Sequence, residues 1–164
     1  MENRVVREFD LYPPMCIWLE NYLKDKYKQG EVIVVDAHSE RLDKVLHRFG
    51  IVNDLATGVD IQIDVLGIVT NIRGGYKLFF IEAKKTKLTL RDLGQLWAYC
   101  KLIDPEEAFL LTSANLGSLN KLFNVFHRED LLDFGDGTII KKMKVGIWNT
   151  TTNSPDASSM IPKI

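Results

Sequence analysis

Residues 64–84 read DVLGIVTNIRGGYKLFFIEAK. Apolar, β-branched and aromatic residues fill this stretch on both sides of Ile72-Arg73-Gly74-Gly75, whose paired glycines supply turn conformations that other residues resist. The pattern predicts a β-hairpin with arms at residues 59–71 and 76–82. A turn centred between Arg73 and Gly75 makes the numbers of opposed residues sum to roughly 148, so Asp64 faces the stretch from Glu82 to Lys84. Glu82 and Lys84 are two apart in an extended strand and point to one side. Two carboxylates and a lysine therefore converge at one end of the hairpin.

Outward from the hairpin the chain alternates strands and helices. Residues 32–35, all β-branched, predict a strand buried on both faces. Before them, Pro13-Pro14 opens a helix whose Met15, Trp18, Leu19, Tyr22 and Leu23 share a face, ending near Gly30. Ser39 is placed to cap a second helix that runs to Phe49 and stops at Gly50. Thr89 to Asp92 has capping-box spacing and opens a helix with Leu93, Leu96, Trp97, Cys100 and Ile103 on one stripe, closed by Pro105. A strand at 108–111, a helix at 116–126 and a long strand at 138–148 complete the reading. The class is α/β, a mixed sheet with helices on its faces.

Acids and a lysine at the ends of apolar strands cost desolvation energy unless something pairs with them. Mg²⁺ meets that need, because it takes oxygen ligands and prefers one or two carboxylates with water and phosphate oxygens. Asp64 and Glu82 are the candidate metal ligands. Lys84 is placed to orient a water or to offset charge developing on a phosphate. The plainer alternative is that Lys84 only neutralises one acid at a strand end.

Asp64-Val-Leu-Gly67 followed by Phe80-Ile-Glu-Ala-Lys84 resembles the PD-(D/E)XK nuclease superfamily, in which an Asp begins one hairpin strand and Glu-x-Lys ends the next. Gln95 and Tyr99, four apart on the following helix, look like the Gln-x-x-x-Tyr pair of RecB-type members. The resemblance covers roughly residues 59–111. It implies a restriction-endonuclease-like mixed β-sheet flanked by helices and an enzyme that hydrolyses DNA phosphodiesters with Mg²⁺, for which Mn²⁺ substitutes. By residue it implies Asp64 and Glu82 as metal carboxylates, the Ala83 carbonyl as a further ligand, Lys84 as the catalytic lysine and Gln95 as a group steadying the site. It also implies Tyr99 as a substrate contact and Glu20 as an accessory acid, and the basic cluster beside Lys84 adds Lys85 and Lys87 as expected substrate contacts. Two departures stand out. Ile63 occupies the place of the proline, and Asp60 competes with Asp64 for the acid role.

Length and composition agree with one compact nuclease domain at residues 1–149 and a polar tail at 150–164. The chain has 164 residues, 46% of them hydrophobic, and two cysteines, too few for a disulfide framework, a cysteine zinc site or an iron–sulfur cluster. Cys16 and Cys100 read as buried thiols, and His38, His47 and His127 as ordinary histidines, being too widely spaced for a ligand set. The short, charge-flanked apolar runs predict a soluble, cytoplasmic protein without a membrane span. The net charge of −1 announces no nucleic-acid partner by itself, although lysines cluster at 24–28, 84–87 and 141–144. In the tail, Met160, Ile161 and Ile164 are the apolar anchors, and they suit a groove of this chain or of a second copy. A homodimer is expected, since two-fold pairs are common and two sites can then face one duplex. A non-cleaving nucleic-acid-binding module is the rival function. The intact set of Asp64, Glu82 and Lys84 favours the enzyme.

Overall fold

The computed structural model describes residues 7–163. A short 3-10 turn, Glu8–Leu11, runs into helix α1, Tyr12–Lys26, which carries its prolines in the first turn where no amide donor is missed. Strand β1 is Glu31–Asp36, helix α2 Leu42–Arg48, and strands β2 and β3 are Val65–Thr70 and Tyr76–Lys84. Helix α3, Leu90–Ile103, is capped by Thr89, whose side chain accepts from the Asp92 amide while Asp92 caps the Thr89 amide in return. Strand β4, Glu107–Thr112, is followed by the short helix α4, Ser118–Asn120, and then by β5 (Asp133–Gly135), β6 (Ile140–Lys142), β7 (Lys144–Asn149) and β8 (Ser154–Pro155).

Six strands form a mixed sheet in the order β1-β2-β3-β4-β7-β8. Strands β1, β2 and β3 are antiparallel neighbours, β3, β4 and β7 run parallel, and β8 returns antiparallel on β7. Helix α1 covers one face. Met15, Leu19 and Leu23 are fully buried there with Phe79, Ile81, Phe109 and Trp148. Gly67 permits that approach, because a Cβ on it would stand 2.8 Å from Leu23 Cδ1 and 3.1 Å from Leu19 Cδ2. The other face packs Leu66, Phe80, Leu110 and Val145 against Leu42 and Val45 of α2 and Leu93, Leu96 and Cys100 of α3. Each strand thus alternates its side chains between two cores.

The α/β class with a mixed sheet and flanking helices is as expected, and several boundaries differ. The first hairpin arm pairs only from Val65, because the chain upstream leaves the sheet to lie beneath α2, where Ile61 and Ile63 are buried and the Ile61 carbonyl accepts from Leu42 N. Helix α2 begins at Leu42 rather than after Ser39. The region from Leu116 is one short α-turn followed by a π-turn at Lys121–Val125. The expected strand at 138–148 is two strands, broken where Met143 turns its N–H to the Leu132 carbonyl. Strand β1 lies at the sheet edge and is half-buried, with Ile33 and Val35 on one core and Val32 and Val34 on the other.

Within residues 150–163 strand β8 pairs with β7, and Ile161 bridges to Val145. Ile161 exchanges two backbone hydrogen bonds with Val145 (2.8 and 2.9 Å), and Met160 and Ile161 are buried against the chain's own core. The apolar anchors expected in a groove are therefore docked on this same chain, which removes the tail as an argument for a dimer; Ile164 lies outside the described residues. Cys100 is buried and Cys16 half-buried. Among the described residues no helix is long and apolar enough to cross a membrane.

Candidate active site

The start of β2 and the ends of β1, β3 and β4 meet at one end of the sheet. Val65 pairs with Ile81, so register numbers sum to 146 rather than 148, and one step further Asp64 stands across from Glu82. The two-residue difference comes from the turn, where Asn71 N donates to the Gly75 carbonyl and the Asn71 side chain accepts from the Arg73 and Gly75 amides. Beyond Val65 the Asp64 side chain takes over the ladder position: its Oδ2 accepts from Ala83 N at 2.9 Å, and its Oδ1 from the Tyr12 hydroxyl at 3.1 Å. The Asp64 carboxylate also shares a hydrogen bond with the Glu82 carboxyl.

Glu82 is only 6% exposed. Two buried side-chain polar atoms lack a hydrogen-bond partner among the described residues, Trp148 Nε1 and Glu82 Oε1, and the second sits beside the Asp64 and Lys84 charges. Burial pushes the Glu82 carboxyl well above the ordinary carboxylate range, and the neighbouring Asp64 charge pushes it further, against the pull of Lys84. Burial raises Asp64 as well, opposed by the Ala83 N–H, the Tyr12 hydroxyl and Lys84. The pair holds a proton between its carboxylates more readily than either acid would alone.

Lys84 is central to the cluster. Its Nζ lies 3.9 Å from Asp92 Oδ1 at the head of α3, and its charge acts on Glu8, Asp64 and Glu82. Glu8, one turn before Tyr12, closes the side toward α1. Its carboxylate accepts from the Lys85 amide, and burial raises its pKa against the pull of Lys84. Four carboxylates thus surround one ammonium. Among the described residues no group of three His, Cys, Asp or Glu side chains is arranged to hold a metal ion. Mg²⁺ does not require such a group, since it retains water and takes one or two carboxylates with substrate oxygens. The buried, partnerless Glu82 oxygen beside Asp64 fits such a cation.

The remaining expected residues fall into two groups. Gln95 and Tyr99 lie along α3 beyond Asp92, with Gln95 Nε2 donating to the Tyr99 hydroxyl at 3.2 Å. Lys85 and Lys87 are exposed on the connection from β3 to α3, beside Lys84. Away from the cluster stands Glu20, half-buried and paired with Lys24 at 3.1 Å, two turns from Tyr12 or about 12 Å along the helix. Asp60 is exposed in the loop before β2 and is not in the strand. Sequence reasoning missed Glu8, Tyr12 and Asp92. Their only local signals were an acid one turn before a proline-marked helix start and the acid of the α3 capping box. A cleft of about 620 Å³ lined by Tyr27, Gly30, Thr70, Asn71 and Tyr76 lies at the opposite end of β2, about 20 Å from Asp64 at strand rise, and shares no residue with this cluster. Compared with known proteins, the chain matches no family model, no curated protein and no solved structure.

Proposed function

We propose that the chain is a Mg²⁺-dependent nuclease of the PD-(D/E)XK type that hydrolyses phosphodiester bonds in DNA. The observation that carries this reading is the buried, partnerless Glu82 Oε1 beside Asp64 and Lys84 at the open end of the sheet. A protein without need of a cation or substrate there would gain from an apolar or paired group instead. The restriction-endonuclease-like fold is supported by the order of antiparallel hairpin, helix and parallel strand through β2, β3, α3 and β4.

Asp64 and Glu82 would hold the metal with the Ala83 carbonyl, which leaves the strand on the same side as the N–H bonded to Asp64. Glu8, nearer than Glu20, is the candidate for the accessory acid. When bound, the cation supplies charge to polarise a phosphate and to acidify water. The chain's own contribution is positional. Tyr12 and the Ala83 amide fix the Asp64 carboxylate, and Asp92 draws Lys84 to one side of the pair. Lys84 then offers donors to the attacking water or to the charge accumulating on phosphate oxygens. Lys85 and Lys87 add positive charge for the phosphate backbone, which an overall charge of −1 does not provide.

The test is incubation with linear, circular and single-stranded DNA in Mg²⁺, Mn²⁺ or EDTA. Cleavage in the metals and none in EDTA is expected, and Asp64→Ala, Glu82→Ala and Lys84→Ala should each abolish it without additivity. Full activity in any one variant would remove that residue from the assignment, and metal-independent cutting would remove the mechanism.

A further inference from the structure

Asp36 and His38 stand at the same end of the sheet as the carboxylate pair. Asp36 is paired with Val65, and the Ala37 N–H donates to the Asp64 carbonyl at 2.9 Å, so His38 follows directly on the strand position beside Asp64. Asp36 Oδ1 accepts from the His38 amide at 3.1 Å and lies 2.5 Å from its ring Nδ1. The imidazole rests on Tyr12 with ring centroids 4.9 Å apart, and Tyr12 in turn donates to Asp64. Held at Nδ1 and on one face, the side chain is still 42% exposed. With Nδ1 turned to Asp36, Nε2 is the ring nitrogen left for a partner. The backbone bond to Asp36 is enough to end a strand; the second bond, which orients the ring, is not needed for that.

We propose that His38 is a substrate-contacting residue: oriented by Asp36 and Tyr12, its ring presents Nε2 to the phosphate next to the one cleaved, on the α1 side of the site. The proposal rests on the nuclease reading. The Tyr12 ring links the imidazole to Asp64, since it lies against His38 and donates to the Asp64 carboxylate. The electrostatics call for a donor there, because Glu8, Asp64, Glu82 and Asp92 together repel a polyanion and Lys84 answers them only from the α3 side. The groups facing His38 are Asp36 of β1 and Tyr12 of α1, with Cys16 of α1 beside Asp36. Orientation of one imidazole nitrogen by a carboxylate to define the role of the other is a general device.

The experiment measures binding of a short fluorescent DNA duplex in EDTA and cleavage kinetics in Mg²⁺ for the full chain and for His38→Ala, His38→Gln and Asp36→Asn, with thermal denaturation as a control for folding. His38→Ala should raise Kd and KM about tenfold, the worth of one charge-assisted hydrogen bond, with kcat within about threefold. His38→Gln, which keeps a polar group of similar reach, should fall between, and Asp36→Asn should lose about threefold through its effect on the ring. A neutral methylphosphonate at the neighbouring phosphate should cost the wild-type chain the same factor and cost His38→Ala nothing more. A fall in kcat with KM unchanged, or an equal methylphosphonate penalty in both proteins, would overturn the contact. Normal Mg²⁺-dependent cutting by His38→Ala would remove the role of His38 alone. Absence of both binding and cutting in the wild-type chain would remove the nuclease reading with it.

Discussion

Glu82 and Glu107 occupy opposite ends of the β3–β4 pair and are almost equally buried, 6% and 7% exposed. Their surroundings are opposites. Glu107 accepts from the Tyr22 hydroxyl at 2.8 Å, from Lys26 at 3.1 Å and from Lys144, so that although burial works to raise its pKa, these donors hold it below the ordinary value. Glu82 faces another acid, leaves one oxygen without a partner, and is pushed upward by burial and by Asp64. A buried acid surrounded by donors fastens structure, here α1 to the sheet. One set against another acid, with an oxygen left over, carries a cost that a shared proton or a bound cation would relieve, and this contrast is what supports Glu82 as the candidate functional acid.

Replacing each glutamate by its neutral isostere is the strongest way to break the comparison. Glu82→Gln should abolish cleavage, by about a thousandfold or more for a metal ligand, while raising the metal-free Tm by about 2–4 °C through loss of like-charge repulsion. Glu107→Gln should leave kcat near wild type and lower stability by about 2–4 kcal/mol, because it strands two lysines against an amide, one of them half-exposed to water. Activity assays and denaturant titrations on both variants settle the matter. If both glutamates lowered stability alike, the unpartnered oxygen would have no functional meaning.

The pH dependence of metal-free stability should separate them next. Between the ordinary Glu82 value of 4.5 and its raised folded value, the folded chain keeps a proton that the unfolded chain has released. The associated stability is therefore complete below 4.5 and is lost as pH rises through the folded value. For Glu107, held below 4.5 in the fold, stability is present above 4.5 and is lost as pH falls through the folded value. Melting curves in EDTA from acid to mildly alkaline pH should show Glu82→Gln flattening the high-pH decline and Glu107→Gln flattening the acid limb. Mg²⁺ added to the wild-type chain should release protons, which Glu82→Gln should greatly reduce.

The hairpin was legible because its information is local. Alternation, a glycine turn and Glu-x-Lys spacing place Asp64 opposite Glu82 to within two residues, and the error lies in how Asn71 closes the turn. Glu8, Tyr12 and Asp92 were not legible as site residues, since what brings them there is the docking of α1 and α3 over the sheet end. Tyr12 meets Asp64 across 52 positions, a contact that no spacing rule encodes. The same limit explains the choice of Glu20: helix periodicity can say which residues share a face, but not which end of the helix reaches the chemistry. Glu107 sat at the edge of a strand whose apolar pattern said nothing of Lys26 or Lys144, 81 and 37 residues away.

The two acids offered by α1 and the turn before it sharpen the comparison further. Both are half-buried, but Glu8 is tied to the Lys85 amide beside Lys84, whereas Glu20 is held by Lys24. Glu8→Gln should raise the Mg²⁺ concentration needed for half-maximal cleavage about ten- to a hundredfold, the usual cost of an outer metal-site partner. Glu20→Gln should be silent in the same titration and shift stability by no more than about 0.5 kcal/mol, as for an exposed helix pair. The reverse ranking would return the accessory role to α1 proper.

The smallest expected effect concerns Gln95 and Tyr99, where the question is whether the amide acts on the site or only on its neighbour. Asp92 holds Lys84, and Gln95 and Tyr99 follow at three and seven residues, so all three share one face of α3. Gln95 spends one of its two N–H donors on the Tyr99 hydroxyl, which leaves the second and the carbonyl oxygen to a water or phosphate at the site. Gln95→Ala should reduce kcat/KM about ten- to a hundredfold, as for a group that positions substrate rather than reacts with it. Tyr99→Phe removes only the acceptor of that bond and should cost about threefold, less than a full hydrogen bond because Gln95 is exposed and water can replace the hydroxyl. If the pair acts as one unit, the double variant should be no worse than Gln95→Ala alone. Cleavage at the wild-type rate on linear, circular and single-stranded DNA by Gln95→Ala would make the Gln-x-x-x-Tyr spacing an accident of helix composition, and would leave Asp64, Glu82 and Lys84 to carry the chemistry without it.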